Sequence, residues 1–126
     1  MRPKSLAEVA RLAAEGDCFD RCLANYLDEF YTAPTAGALV EMPPFLAPKA
    51  GEPGRVQDAY LAATAEELAR RFDLPPPAWM TAPEHALHRP WFATPLASVR
   101  AVLLLESPPG FRSRNLFVSE NALSRA

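Results

Sequence analysis

Asp17-Cys-Phe-Asp-Arg-Cys-Leu-Ala-Asn-Tyr-Leu-Asp-Glu-Phe30 decides the class of this fold. Phe19, Cys22, Leu23, Tyr26, Leu27 and Phe30 recur at i, i+3, i+4, i+7, i+8 and i+11, which winds them onto one broad helical face. Asp20, Arg21, Asp28 and Glu29 fall off that face and keep the other side wet. Asp17 stands where a helix cap is wanted. Immediately upstream, Ser5 with Glu8 three residues later has the form of a capping box. Leu6, Val9, Ala10 and Ala13 follow at helical spacing, and Gly16 can adopt the left-handed stop. Two helices are therefore expected as a hairpin across Gly16.

Downstream, the period is lost from 32 to 54. Pro34, Pro43, Pro44, Pro48 and Pro53 are interspersed there with Gly37, Gly51 and Gly54, so the segment is expected as a connection that wraps the domain. Within it, Ala38-Leu-Val-Glu-Met42 and Phe45-Leu46 are apolar enough to dock. A third helix is expected from about Arg55 to Phe72, with Leu61, Ala65, Leu68 and Phe72 as its stripe. Its Asp58, Glu66, Glu67, Arg70 and Arg71 are assigned to the wet face. Three prolines, Pro75 to Pro77, stop it, and a single helical turn is expected at Pro83 to His88. Thr94 and Pro95 open a fourth helix to about Glu106, whose Leu96, Val99, Val102, Leu103 and Leu105 make it the most buried element by composition. A turn after Ser107 holding Phe111, an extended Leu116-Phe-Val118 and a terminal helix from Ser119 through Leu123 complete the reading. The expectation is one all-α domain over 1–126, with four main helices, short helical turns and a long Pro-rich connection.

Composition agrees with a packed domain. The 126 residues are 49% apolar and 22% charged, enough to build a core. A net charge of -2 argues against a chain that coats nucleic acid. From Arg89 onward there are nevertheless five arginines against Glu106 and Glu120, a local excess of positive charge. The longest apolar run, Ala101-Val-Leu-Leu-Leu105, is far short of the roughly 18 residues a membrane span needs. Arg2 and Lys4 lead into an amphipathic segment and not a secretory signal, so a cytoplasmic protein that meets no membrane is expected.

Reactive side chains are few. Cys18 and Cys22, with His85 and His88, number four, as in a closed zinc site, but their spacing matches no familiar finger, and Cys22 belongs to an apolar stripe. No G-x-S-x-G, glycine-rich phosphate loop or H-E-x-x-H is present. No catalytic residue, metal or cofactor is assigned, and a thiol- or metal-dependent enzyme built on Cys18, Glu84 and His85 is the least favoured reading.

Recognition is the favoured one. Prolines and aromatics alternate through the second half, and tryptophan beside proline makes an anchor that loses little entropy on binding. Trp79, Trp91, Phe92, Arg112, Arg114 and Phe117 are expected as the partner-binding surface, with rings entering a partner's cleft and guanidinium groups meeting its acids. The competing readings are that both tryptophans cover the end of the helical core and that Arg112 and Arg114 lie on a solvated turn. A dimeric DNA-binding regulator using the arginine-bearing end is carried as the alternative function.

The series Leu74-Pro-Pro-Pro-Ala-Trp79, Arg89-Pro-Trp-Phe92, Leu96-x-x-Val-Arg100, Glu106-Ser-Pro-Pro-Gly-Phe-Arg-Ser-Arg-Asn115 and Leu116-Phe-Val-Ser119 resembles a group of small bacterial proteins. In that group a similar block often follows a helix-turn-helix repressor-like segment, and the gene tends to neighbour that of a nucleotidyltransferase-like toxin. The resemblance covers about Asp58 onward. It implies an antitoxin-like role, binding a partner protein such as that toxin and regulating a promoter; a homodimer is carried as a separate expectation. The N-terminal half is shorter and more apolar than a DNA-reading segment, and the resemblance transfers no catalytic residue.

Overall fold

The computed structural model describes residues 2–94 and 96–125, and Pro95, expected to open the fourth helix, lies outside them. The first helix, α1 (Leu6–Ala14), begins where Ser5 Oγ accepts the Glu8 amide at 3.1 Å. The return half of the box is displaced by one residue, because Glu8 Oε1 accepts from the Lys4 amide at 3.3 Å. Gly16, at φ 109°, turns the chain, and the Gly16 and Asp17 amides donate to the carbonyls of Ala13 and Leu12. Helix α2 (Phe19–Thr32) follows with Cys18 at its N-cap and no side-chain hydrogen bond there, so Asp17 does not cap it as expected. The six-residue apolar face of α2 is buried, as its spacing requires.

Beyond α2 come two single-turn helices, α3 (Gly37–Val40) and α4 (Ala47–Ala50), then the long α5 (Glu52–Arg71). Phe19 meets Tyr60 edge-on, with ring centroids 6.3 Å apart, and Phe30 meets Phe72 at 5.3 Å. Advancing along α2 thus advances along α5, and the two helices run parallel. Parallel neighbours cannot be joined by a tight turn. The chain must travel back over the length of α2, roughly 20 Å, and residues 33–51 make that journey.

The returning segment is pinned along its length. Tyr26 OH donates to Ala38 O at 3.2 Å, and Trp79 Nε1 donates to Leu39 O at 2.9 Å. The Asp58 carboxylate takes the Leu46 amide at 2.7 Å and the Ala47 amide at 3.0 Å, closing the start of α4. Gly54 lets this happen: a Cβ there would stand 2.4 Å from Leu46 O. Leu39 and Leu46 are buried in consequence.

α5 is buried nearly all round, with alanines on most sides admitting close neighbours. Asp58 and Glu67 are therefore inside, and their assignment to the wet face is corrected. Each is in the interior because it satisfies backbone amides that lie in other segments. Burial pushes the Asp58 carboxyl above its ordinary pKa, and the two amides pull it part of the way back. Glu67 Oε2 accepts the Gly110 amide at 3.0 Å, and Glu67 Oε1 meets Arg70 and, at 3.8 Å, Arg71.

After α5 the chain turns at Asp73, whose φ is 54°, and makes two 3-10 turns, Ala78–Thr81 and Pro83–His85. Two short strands, β1 (Trp91–Phe92) and β2 (Leu116–Phe117), pair in parallel with Trp91 opposite Leu116. Between them lie α6 (Ala97–Glu106) and the one-turn α7 (Pro109–Arg112), with Phe111 fully buried. Residues 120–123 form a turn and not the expected terminal helix. Tyr31 OH holds Leu123 O at 2.7 Å there, and Arg125 grips Asp28 through both carboxylate oxygens at 2.9 and 3.2 Å. The architecture is all-α, with four helices of seven residues or more among the described residues. No helix among the described residues is long and apolar enough to cross a membrane.

Candidate recognition surface

The six side chains expected to grip a partner divide between two places. Arg114 is only 6% exposed: Nη1 donates to Glu66 Oε1 at 2.8 Å and Gly110 O at 2.6 Å, and Nη2 donates to Met80 O at 2.7 Å. Its guanidinium ties α5, the first 3-10 turn and α7 together, so its expected place on the surface is corrected. Phe117 is also inside, stacked on Phe92 at 5.0 Å. Trp79 is half-buried, with its indole N–H committed to Leu39 O and its ring 5.2 Å from that of His85. Arg112 is exposed, yet Nη2 donates to Leu105 O at 3.3 Å and Ser107 O at 2.7 Å, which closes the C-terminal end of α6.

Trp91 and Phe92 remain at the surface, half-buried, where the strand pair fixes their direction. The Trp91 amide donates to Asn115 O at 2.8 Å and the Ala93 amide to Phe117 O at 3.0 Å. Asn115, at φ 64°, adds a side-chain bond from Nδ2 to Leu87 O at 2.7 Å. On one side of this edge the Arg100 guanidinium lies 5.1 Å over the Phe92 ring.

The other side opens on two adjoining hollows of about 640 and 470 Å³. Asp20, Tyr60 and Trp91 line both. Phe19, Val56 and Leu87 floor the first, and Leu23, Leu27 and Val118 the second. Tyr60 forms an edge-on pair with Phe111 at 4.9 Å, and its hydroxyl meets no hydrogen-bond partner among the described residues. Burial, helped by the nearby Asp20 charge, pushes the phenol pKa up to about 12, so it presents a proton at neutral pH. None of Asp20, Tyr60, Glu52 and Arg89 is among the six side chains that the sequence suggested as a partner-binding surface. The alternation of Asp20 with an apolar helix face looks like ordinary solvation.

The largest departure is α6. Of its ten residues only Leu103 is buried, whereas Leu105 is 83%, Val102 49% and Leu104 46% exposed, and Leu96 beside it is 61% exposed. The expectation of a buried helix is corrected. Leu103 anchors one side near β2, and the Ser107 hydroxyl bridges Leu103 O at 2.6 Å to Val118 O at 3.0 Å. The main core is already closed by α1, α2 and α5, and nothing covers the other side of α6 among the described residues.

Among the described residues no three of His, Cys, Asp and Glu stand together as metal ligands. Cys18 is exposed at the start of α2 and Cys22 is buried one turn on, while His85 lies against the rings of Phe45 and Trp79. Comparison of the chain with protein-family models, curated proteins and solved structures returned no match.

Proposed function

We propose that this chain is a protein-recognition module, antitoxin-like or adaptor-like, that docks α6 and the adjoining Trp91–Phe92 edge onto a partner protein and occludes it. The observation carrying the reading is the uncharged outer side of α6. A ten-residue helix with Leu104 and Leu105 in water keeps a substantial apolar area hydrated, and covering it with another protein recovers roughly 25 cal/mol for each Å² removed. The only charges on α6 are Arg100 and Glu106, and Arg100 is folded over Phe92. The resemblance of the C-terminal half to proteins encoded beside nucleotidyltransferase-like toxins supplies the partner to try first.

DNA binding is the weaker reading. Four of the five arginines it relied on are engaged within the chain: Arg100 with the Phe92 ring, Arg114 with Glu66, Arg125 with Asp28, and Arg112 with two carbonyls.

The test is coexpression with a nucleotidyltransferase-like toxin of the kind encoded beside the resembled proteins, followed by size-exclusion chromatography with light scattering. Wild type should coelute with it in a defined ratio. The V102D/L105D variant should elute alone while keeping its circular dichroism and melting temperature. A variant that still coelutes would remove α6 from the interface. If wild type alone is a dimer and the variant a monomer, the face is covered by a second copy and the occlusion reading falls.

A further inference from the structure

We propose that the groove running across Asp20, Tyr60 and Trp91 binds an extended peptide segment of a partner in which one arginine or lysine is flanked on both sides by apolar residues. No residue of α6 lines either hollow, so this site is distinct from the helix face above, with Trp91 as the residue common to the groove and the docking edge; it rests on the same reading of the chain as a recognition module.

Three observations select that occupant. First, the groove is double, with an apolar floor on either side of a shared middle, which suits side chains before and after a central one. Second, the shared middle holds Asp20, and the wall of the first hollow holds Glu52; neither carboxylate has an ion-pair partner among the described residues. Arg125, which lines the second hollow, is already neutralised by Asp28, and among the described residues Arg89 is the one other cation lining the groove. Third, the shared middle also holds the rings of Tyr60 and Trp91, with Phe19 edge-on to Tyr60. Aromatic faces beside a carboxylate favour a cation carried on an apolar stem, because the rings attract the charge while their bodies cover the methylenes. The unpartnered Tyr60 hydroxyl is free to donate to a backbone carbonyl of the bound segment.

The experiment uses the full chain and a fluorescein-labelled, capped pentapeptide of one arginine flanked on each side by two leucines. The same peptide with citrulline at the centre keeps the shape and removes the charge. Fluorescence anisotropy should show saturable binding of the arginine peptide, weaker by about ten-fold or more for the citrulline peptide. D20N/E52Q should bring the arginine peptide down to the citrulline level. Both carboxylates are exposed, so that variant is expected to fold, as circular dichroism will verify. W91F, which keeps a ring, should weaken binding less than W91A. Equal affinity for the two peptides, or no effect of D20N/E52Q, would overturn the proposal. So would binding of arginine methyl ester as tight as that of the peptide, since the groove would then serve a small cation. V102D/L105D should bind the peptide like wild type, which separates failure here from failure of the α6 interface.

Discussion

His85 is buried between aromatic rings, and its Nδ1 has no hydrogen-bond partner among the described residues. Burial, and secondarily the Arg114 guanidinium, lower its pKa below the ordinary value of about 6.5 against a small opposing pull from Glu84. The unfolded chain therefore binds a proton that the folded chain refuses. Stability from this group is complete above about pH 6.5 and is lost as pH falls toward the depressed folded value. The melting temperature should decline on acidification through that window, and H85Q should flatten the decline; an identical slope in the variant would reassign it. Asp58 gives a second expectation at this scale. D58A leaves the Leu46 and Ala47 amides without their acceptor and should cost about 2–4 kcal/mol in urea unfolding. Such residues were unreadable from local pattern. Arg114 and Glu66 are 48 positions apart, and Gly110 and Glu67 are 43 apart, so a charge that looks solvated on a helical wheel is inside because a distant backbone needs it.

At the level of elements, periodicity located α1 and α2 well. Their stripes coincide with the buried faces, and the Gly16 stop is where a residue without Cβ was required. For α6 the end at Glu106 was readable, but the helix begins at Ala97 with Leu96 as its N-cap, two residues later than Thr94 as cap implied, and its environment was not readable. Valines and leucines state what a helix would gain by burial, and they do not say whether a neighbour reaches it. The structure separates its leucines sharply. L103A should destabilise by about 2–4 kcal/mol, since it removes the anchoring side chain. L105D should stay within about 0.5 kcal/mol of wild type. Thermal or urea unfolding of the two variants checks this, and comparable losses would mean that the helix packs differently. The candidate surface was legible only in part, for the same reason. Trp91 and Phe92 are half-buried at the surface, whereas Arg114 and Phe117 are consumed by the interior.

Across the whole molecule, the parallel run of α2 and α5 accounts for the proline-rich passage between them. A run of prolines and glycines reads as loose in sequence, because the groups that fix it, Tyr26, Asp58 and Trp79, belong to other elements. Removing one of them tests whether it is held as a unit. W79F keeps the ring and loses the bond to Leu39 O, at a cost of about 1 kcal/mol. Amide hydrogen exchange should accelerate in residues 36–47 while α1 retains its protection; unchanged exchange there would show that Asp58 and Tyr26 suffice. Of the two guanidinium groups that the sequence suggested for gripping a partner's acids, Arg114 is spent on the chain's own closure, whereas Arg112 is exposed with only Nη2 engaged.

The bond between Glu67 and the Gly110 amide sets an order on biosynthesis. While a ribosome has delivered only α1 through α5, one oxygen of that carboxylate faces a site whose occupant is not yet made. The nascent helix must stay hydrated on that side until the stretch around Gly110 leaves the exit tunnel, so closure over Glu67 follows the emergence of α7 and cannot precede it.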